Sequence, residues 1–184
     1  APLPIERYIS NFVREVPLPP QGQVKVEFAF TTDKTFSIER PAINELPMAD
    51  FSFRPLFASL SVSNIIVVLG YLLQESQVVL LSKHYSLLTP IAEALLSAIF
   101  PFRWVGLYIP IAPLKMMDVL EAPVPYLIGL SSEYFSMVDV RQRPKDAIFV
   151  DLDRDVIYIG DVPLPKMPEQ DTQKLTSSLE EAGG

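Results

Sequence analysis

Apolar positions recur along this chain with two distinct periods, and the change from one to the other marks its elements. Ile5, Tyr8, Ile9, Phe12 and Val13 fall at three- and four-residue spacing, which predicts a helix over about Ile5 to Glu15. Val24 to Phe30 alternates apolar with polar and predicts a half-buried strand. Phe36, Ile38 and Pro41 suggest a second extended piece, and Pro47 to Arg54 reads as a loop. Ser61 is placed to cap a helix over about Val62 to Glu75, apolar on most sides. Gln77 to Ser82 is a continuous apolar run, as expected of a strand buried on both faces. Thr89-Pro90 reads as cap and first residue of a helix that runs to Phe100 and stops before Pro101. Strands follow at Val105 to Ile111 and Tyr126 to Leu130, with a short helix, Leu114 to Glu121, between them. Ala147 to Leu152 and Val156 to Ile159 form a hairpin around Asp153-Arg154-Asp155.

Continuous apolar strands alternating with helices predict an α/β fold: a mostly parallel sheet flanked by helices on both faces, in a Rossmann-like three-layer arrangement. The chain divides into a lead-in helix, strand and loop (residues 1–50), an α/β core (51–160) and a tail (161–184). The tail holds Pro163, Pro165 and Pro168, then a polar helix-prone end at Gln173 to Glu181. It reads as a linker and the start of an element whose partner is absent. Charges are sparse in the core: Glu75 is alone between Pro55 and Ser82, and Glu93 is alone between His84 and Phe102. Surface helices normally keep one charged stripe, so this pattern predicts that a missing lobe or partner covers the helices.

Composition narrows the functional classes. The chain has 184 residues, a net charge of −7 and a hydrophobic fraction of 49%; its mean hydropathy is +0.26. Its fifteen Lys and Arg residues are scattered, which disfavours nucleic acid and leaves no polybasic membrane anchor. The longest apolar run, Ile65 to Leu73, is far shorter than the roughly 20 residues that span a bilayer. The opening Ala1-Pro2-Leu3-Pro4 has no signal-peptide pattern and no initiator Met, which suggests a fragment of a longer chain. With no cysteine, disulfides, thiolate metal sites and cysteine nucleophiles are excluded.

Catalytic signals are missing as well. His84 is the only histidine, expected on the loop after the Gln77–Ser82 strand, without partners for a zinc site or a triad. The seven glycines form neither a dinucleotide nor a phosphate loop, and no Gly-x-Ser-x-Gly occurs. Asp151, Asp153 and Asp155 open like a calcium loop, but Val156 stands where the sharp turn needs glycine, so they read as a hairpin tip. Asp118 and Glu121 read as a solvated helix face. No cofactor is expected.

Six pieces, in order, carry a family resemblance: Phe53-Arg54-Pro55-Leu56-Phe57; Glu75-Ser76-Gln77-Val78-Val79-Leu80-Leu81-Ser82; Tyr85-Ser86-Leu87-Leu88-Thr89-Pro90; Phe100-Pro101-Phe102-Arg103-Trp104; Tyr108-Ile109-Pro110; and Ala122-Pro123-Val124-Pro125-Tyr126-Leu127-Ile128-Gly129. Together with the opening Ile5-Glu6-Arg7-Tyr8 and Pro17-Leu18-Pro19-Pro20, they resemble the central region of a DENN domain. The resemblance implies a bilobal domain that binds Rab-type small GTPases and promotes exchange of GDP for GTP, or a scaffold of the same fold without exchange. It implies that this chain is one incomplete lobe, lacking upstream and downstream parts. It also implies a cytoplasmic protein, peripheral to trafficking membranes through its partners.

Loops at the C-terminal ends of the strands are the physical default for contacts in such a sheet. The candidate partner-binding residues are Lys83, His84, Tyr85, Leu114, Met116, Met117, Ser131 and Glu133. Methionines adapt well to protein interfaces, and a core role for Met116 and Met117 is the equal alternative. Phe102 and Trp104 are expected as core anchors at a strand entrance.

Overall fold

The computed structural model describes residues 4–31, 34–43, 45–46, 51–139 and 143–183. Side chains 23, 30, 31, 114, 134 and 135 lie outside the description, as do Ala1 to Leu3 and Pro47 to Asp50, the first half of the loop expected at Pro47 to Arg54. The chain forms two compact units, Ala1–Met48 and Ala49–Gly184.

In the first unit, helix α1 (Ile5–Arg14) precedes an antiparallel hairpin of β1 (Gly22–Thr31) and β2 (Lys34–Arg40). The α1 stripe is amphipathic as its spacing predicts, yet Ile5, Ile9, Phe12 and Val13 stay exposed. Phe12 meets Phe28, and Phe28 stacks on Phe36 across the hairpin.

The second unit is the α/β body. Its elements are α2 (Arg54–Ser59), α3 (Val62–Leu73), β3 (Gln77–Ser82), α4 (Tyr85–Ala98) and β4 (Leu107–Ile109). A 3-10 helix follows at Leu114–Glu121, then β5 (Tyr126–Ser131), α5 (Ser132–Met137), β6 (Ala147–Asp151), β7 (Val156–Ile159) and α6 (Glu169–Gly183). The five strands lie in the order β4-β5-β3-β6-β7. The first four are parallel, and β7 closes one edge antiparallel to β6.

Alternate side chains of the sheet feed two cores. Val78 and Leu80, Leu127, and Ile148 and Val150 face α2, α3 and α4. Val79 and Leu81, Tyr126, Ile128 and Leu130, and Ala147 and Phe149 face the 3-10 helix through Leu120, Met117 and Val119. A strand buried on both faces needs this run of apolar residues, and that is why the period-2 signal vanishes here. The expected three-layer α/β architecture is present.

Several local readings are corrected. Helix α4 begins at Tyr85, not at Thr89, and carries Pro90 inside it. Proline lacks the N–H for one helical bond, but Leu88, Ile91, Ala92, Ala94 and Leu95 bury a full face and hold the helix together. Helices α2 and α5, each six residues, are too short to show periodicity and were not expected. Strand β4 covers only Leu107–Ile109 of the expected Val105 to Ile111; at Gly106, just before it, the Pro125 carbonyl and the Trp104 ring stand where a side chain would be. Ser61 sits at the N-cap of α3 without a capping side-chain bond; its Oγ pairs with Ser63 Oγ instead.

Cover within this unit accounts for part of the sparse charge on the helices. Seven residues of α3 are buried, and Ile65, Val68, Leu69, Tyr71 and Leu72 belong to a core cluster built from residues of this same unit. Glu93, the lone acid of α4, accepts the Tyr108 hydroxyl at 2.8 Å. Burial, then that carboxylate, pushes the Tyr108 hydroxyl far up from its ordinary range. Part of the cover comes from the tail: Pro165 and Met167 lie against Gly70 of α3, and Gly183 of α6 lies against Phe57 of α2. Phe102, expected in the core, is 68% exposed, whereas Trp104 packs on the core and its indole N–H donates to the Leu107 carbonyl. Among the described residues, no helix is long and apolar enough to cross a membrane.

Candidate partner-docking site

The topology singles out one end of the sheet. After β3 the chain leaves through α4, past β5, to β4; after β5 it leaves through α5, past β3, to β6. Neighbouring strands whose connections depart in opposite directions define a switch point, where right-handed crossovers open a crevice at the strand C-termini. Ser82 of β3 is level with Ser131 of β5, and Leu81 is level with Asp151 of β6. All three polar residues are buried; Asp151 is only 4% exposed.

The β6–β7 turn folds over these ends and is tied down by its three aspartates. Asp151 Oδ1 accepts the Asp153 N–H at 3.1 Å, and Asp151 Oδ2 lies 3.5 Å from the Arg154 guanidinium. Asp153 Oδ1 accepts the Ser82 hydroxyl at 2.7 Å. Asp153 Oδ2 accepts the Lys83 N–H at 2.8 Å and the Ser132 hydroxyl at 3.2 Å. Asp155, with φ of 55°, turns the other way. Its carboxylate accepts the Ser61 N–H at 2.9 Å and the Asn64 amide at 2.8 Å, which fixes the start of α3. The three acids sit at a hairpin tip and not in a calcium loop. Among the described residues no cluster suited to a metal ion is present.

Desolvation by itself would raise both carboxyls. The Lys83 N–H and the Ser82 and Ser132 hydroxyls outweigh it at Asp153; Asn64 and Ser61 outweigh it at Asp155. Both acids are therefore held below their ordinary value.

Beside this turn lies an open cavity of about 730 Å³ on the α5 side of the sheet. Lys83, His84, Glu133, Arg143, Arg154 and Tyr158 are among its lining residues, with Leu81 and Asp151 also reaching it. The cavity thus brings together Lys83, His84 and Glu133 of the residues expected from sequence, while Ser131, the buried last residue of β5, is not among its lining residues. Tyr85 is an exposed first residue of α4 and is not among the lining residues. The 3-10 helix stands apart from this cluster. Met117 packs against the second core, Met116 is 46% exposed, and the side chain of Leu114 is outside the description. Ala112, which follows β4 by three residues, is buried and donates its N–H to the Gly129 carbonyl. Sequence reasoning placed Ser132 on a contact loop without singling it out, and missed Ser82, Asp153 and Arg154. Their signal was the acid at every second position across the hairpin tip.

Geometry and fold together define an α/β body in which the segments after β3, β5 and β6 gather at the C-terminal ends of these strands. The chain matches the sequence profile of the DENN (AEX-3) domain over residues 1–155. It is 35% identical over 177 residues to the DENN domain and WD repeat-containing protein SCD1 of Arabidopsis thaliana. That alignment takes in 96% of this chain and 14% of the relative. The chain belongs to the DENN domain family, and it spans about one seventh of that relative's length.

Proposed function

We propose that this chain is the central module of a guanine-nucleotide exchange factor for Rab-type small GTPases, acting in membrane trafficking from the cytoplasm. Membership of the DENN family supports this reading. The observation that carries it is the convergence of Lys83, His84 and Glu133 beside an open cavity at the sheet's switch point. Protein partners contact such loops because backbone and side chains are held there by a rigid sheet.

Exchange of this kind needs no covalent step. A factor that binds the empty GTPase more tightly than the nucleotide-bound form weakens nucleotide binding by the same ratio, because the two equilibria are linked. The contact surface must therefore hold the switch loops of the GTPase away from their nucleotide-bound geometry.

The test is release of a fluorescent GDP analogue from a panel of Rab GTPases. This chain is compared with the chain extended at both ends and with Lys83→Ala and His84→Ala variants of each. Acceleration on one or two Rabs, reduced about tenfold by the loop substitutions, is the expected result. Binding without acceleration by either length replaces exchange with a scaffold role, and no binding to any Rab sinks both.

A further inference from the structure

We infer that Asp153 is a positioning residue that locks the β3–α4 loop and the start of α5 into one preformed docking surface. The inference rests on the docking reading above and adds to it a residue outside the expected contact set.

Asp153 comes from the β6–β7 turn, 71 residues from Ser82, 70 from Lys83 and 21 from Ser132, yet its carboxylate joins all three. Both of its oxygens accept bonds from these segments, at the rim of the open cavity that Asp153 also lines. The Ser82 hydroxyl that donates to Asp153 accepts the His84 N–H in turn at 2.9 Å. One carboxylate therefore holds the amides of two successive loop residues, Lys83 directly and His84 through Ser82. Through Ser132 it holds the residue before Glu133.

The turn that carries Asp153 is itself fixed. Asp151 accepts its N–H, and the Leu152 N–H donates to the Leu81 carbonyl at 2.9 Å. A fixed anchor with charge-assisted bonds into two separate segments reduces the ordering cost that a partner would otherwise meet on binding.

Asp153→Ala removes both acceptor oxygens from the Lys83 N–H and from the Ser82 and Ser132 hydroxyls. Two readouts test the inference. Hydrogen exchange of the free protein is expected to show the Lys83 amide opening about tenfold faster or more, with the β3 and β5 amides unchanged. Affinity for the responsive GTPase is expected to fall about tenfold. Asp153→Ala and Lys83→Ala combined should then cost less than the product of their separate effects, because one acts through the other. Multiplying effects would mean that Asp153 contributes stability only, and this overturns the inference. Wild-type protection at Lys83 in the variant overturns it too. Ser132→Ala serves as the milder probe: faster exchange confined to residues 131–133 supports the clasp, and no change there opposes it. If the wild-type chain binds no GTPase, the docking reading fails, and hydrogen exchange alone still decides whether the clasp exists.

Discussion

Glycine 70 offers a prediction whose sign depends on tertiary packing. In an isolated helix, Gly→Ala stabilises by about 0.5–1 kcal/mol, because alanine loses less backbone freedom. In α3, an added Cβ at position 70 would lie 2.8 Å from Pro165 Cβ and 3.1 Å from Pro165 Cγ. Ordinary carbon contacts are about 3.5–4.0 Å, so the Pro165 ring would have to retreat by roughly 0.7 Å or more. That ring is rigid and bonded to its own backbone, so the tail must move with it. Overpacking of this kind costs about 1–3 kcal/mol. The net effect of Gly70→Ala is thus a loss of about 0–2 kcal/mol. At about 2–4 °C per kcal/mol, the melting temperature should hold or fall by several degrees. Pro165→Gly removes the ring, and in that background the same substitution should become stabilising. Calorimetric or fluorescence melts of the four chains of this cycle measure the coupling directly. Equal stabilisation by Gly70→Ala with and without Pro165 would refute the seating of the tail on α3.

Two further outcomes follow from the core and the turn. Leu95 is fully buried between α4 and its neighbours; Leu95→Ala should cost about 2–5 kcal/mol, read as a lower urea midpoint at unchanged slope, and a loss under about 1 kcal/mol would contradict that burial. Asp155 has a folded pKa below its ordinary value of 3.8, so its stabilising effect is fully present above that value and fades as pH falls through the depressed folded one; Asp155→Asn should flatten the acid limb of the stability curve below about pH 5, and an unchanged limb would remove Asp155 from the account.

The alternation of apolar runs and helical stretches was enough to determine the α/β class, because strands buried on both faces must be apolar along their whole length. Gln77 to Ser82 is the clearest case: the run itself states its burial. The amphipathic α1 and the β6–β7 hairpin were legible for the same local reason, and so were Lys83, His84 and Glu133 as residues following strands.

What the sequence could not determine depends on who covers whom. Sparse charge on α3 states that something covers it, but not that the cover includes the tail, since Gly70 meets Pro165 across 95 residues of chain. Helix α4 starts four residues before the expected cap because the burial of one long face outweighs a single proline. The role of Asp153 was invisible for a further reason. An aspartate in a turn bonds its own backbone by default. Only the strand order, which brings the ends of β3, β5 and β6 side by side, gives this one Ser82, Lys83 and Ser132 to hold.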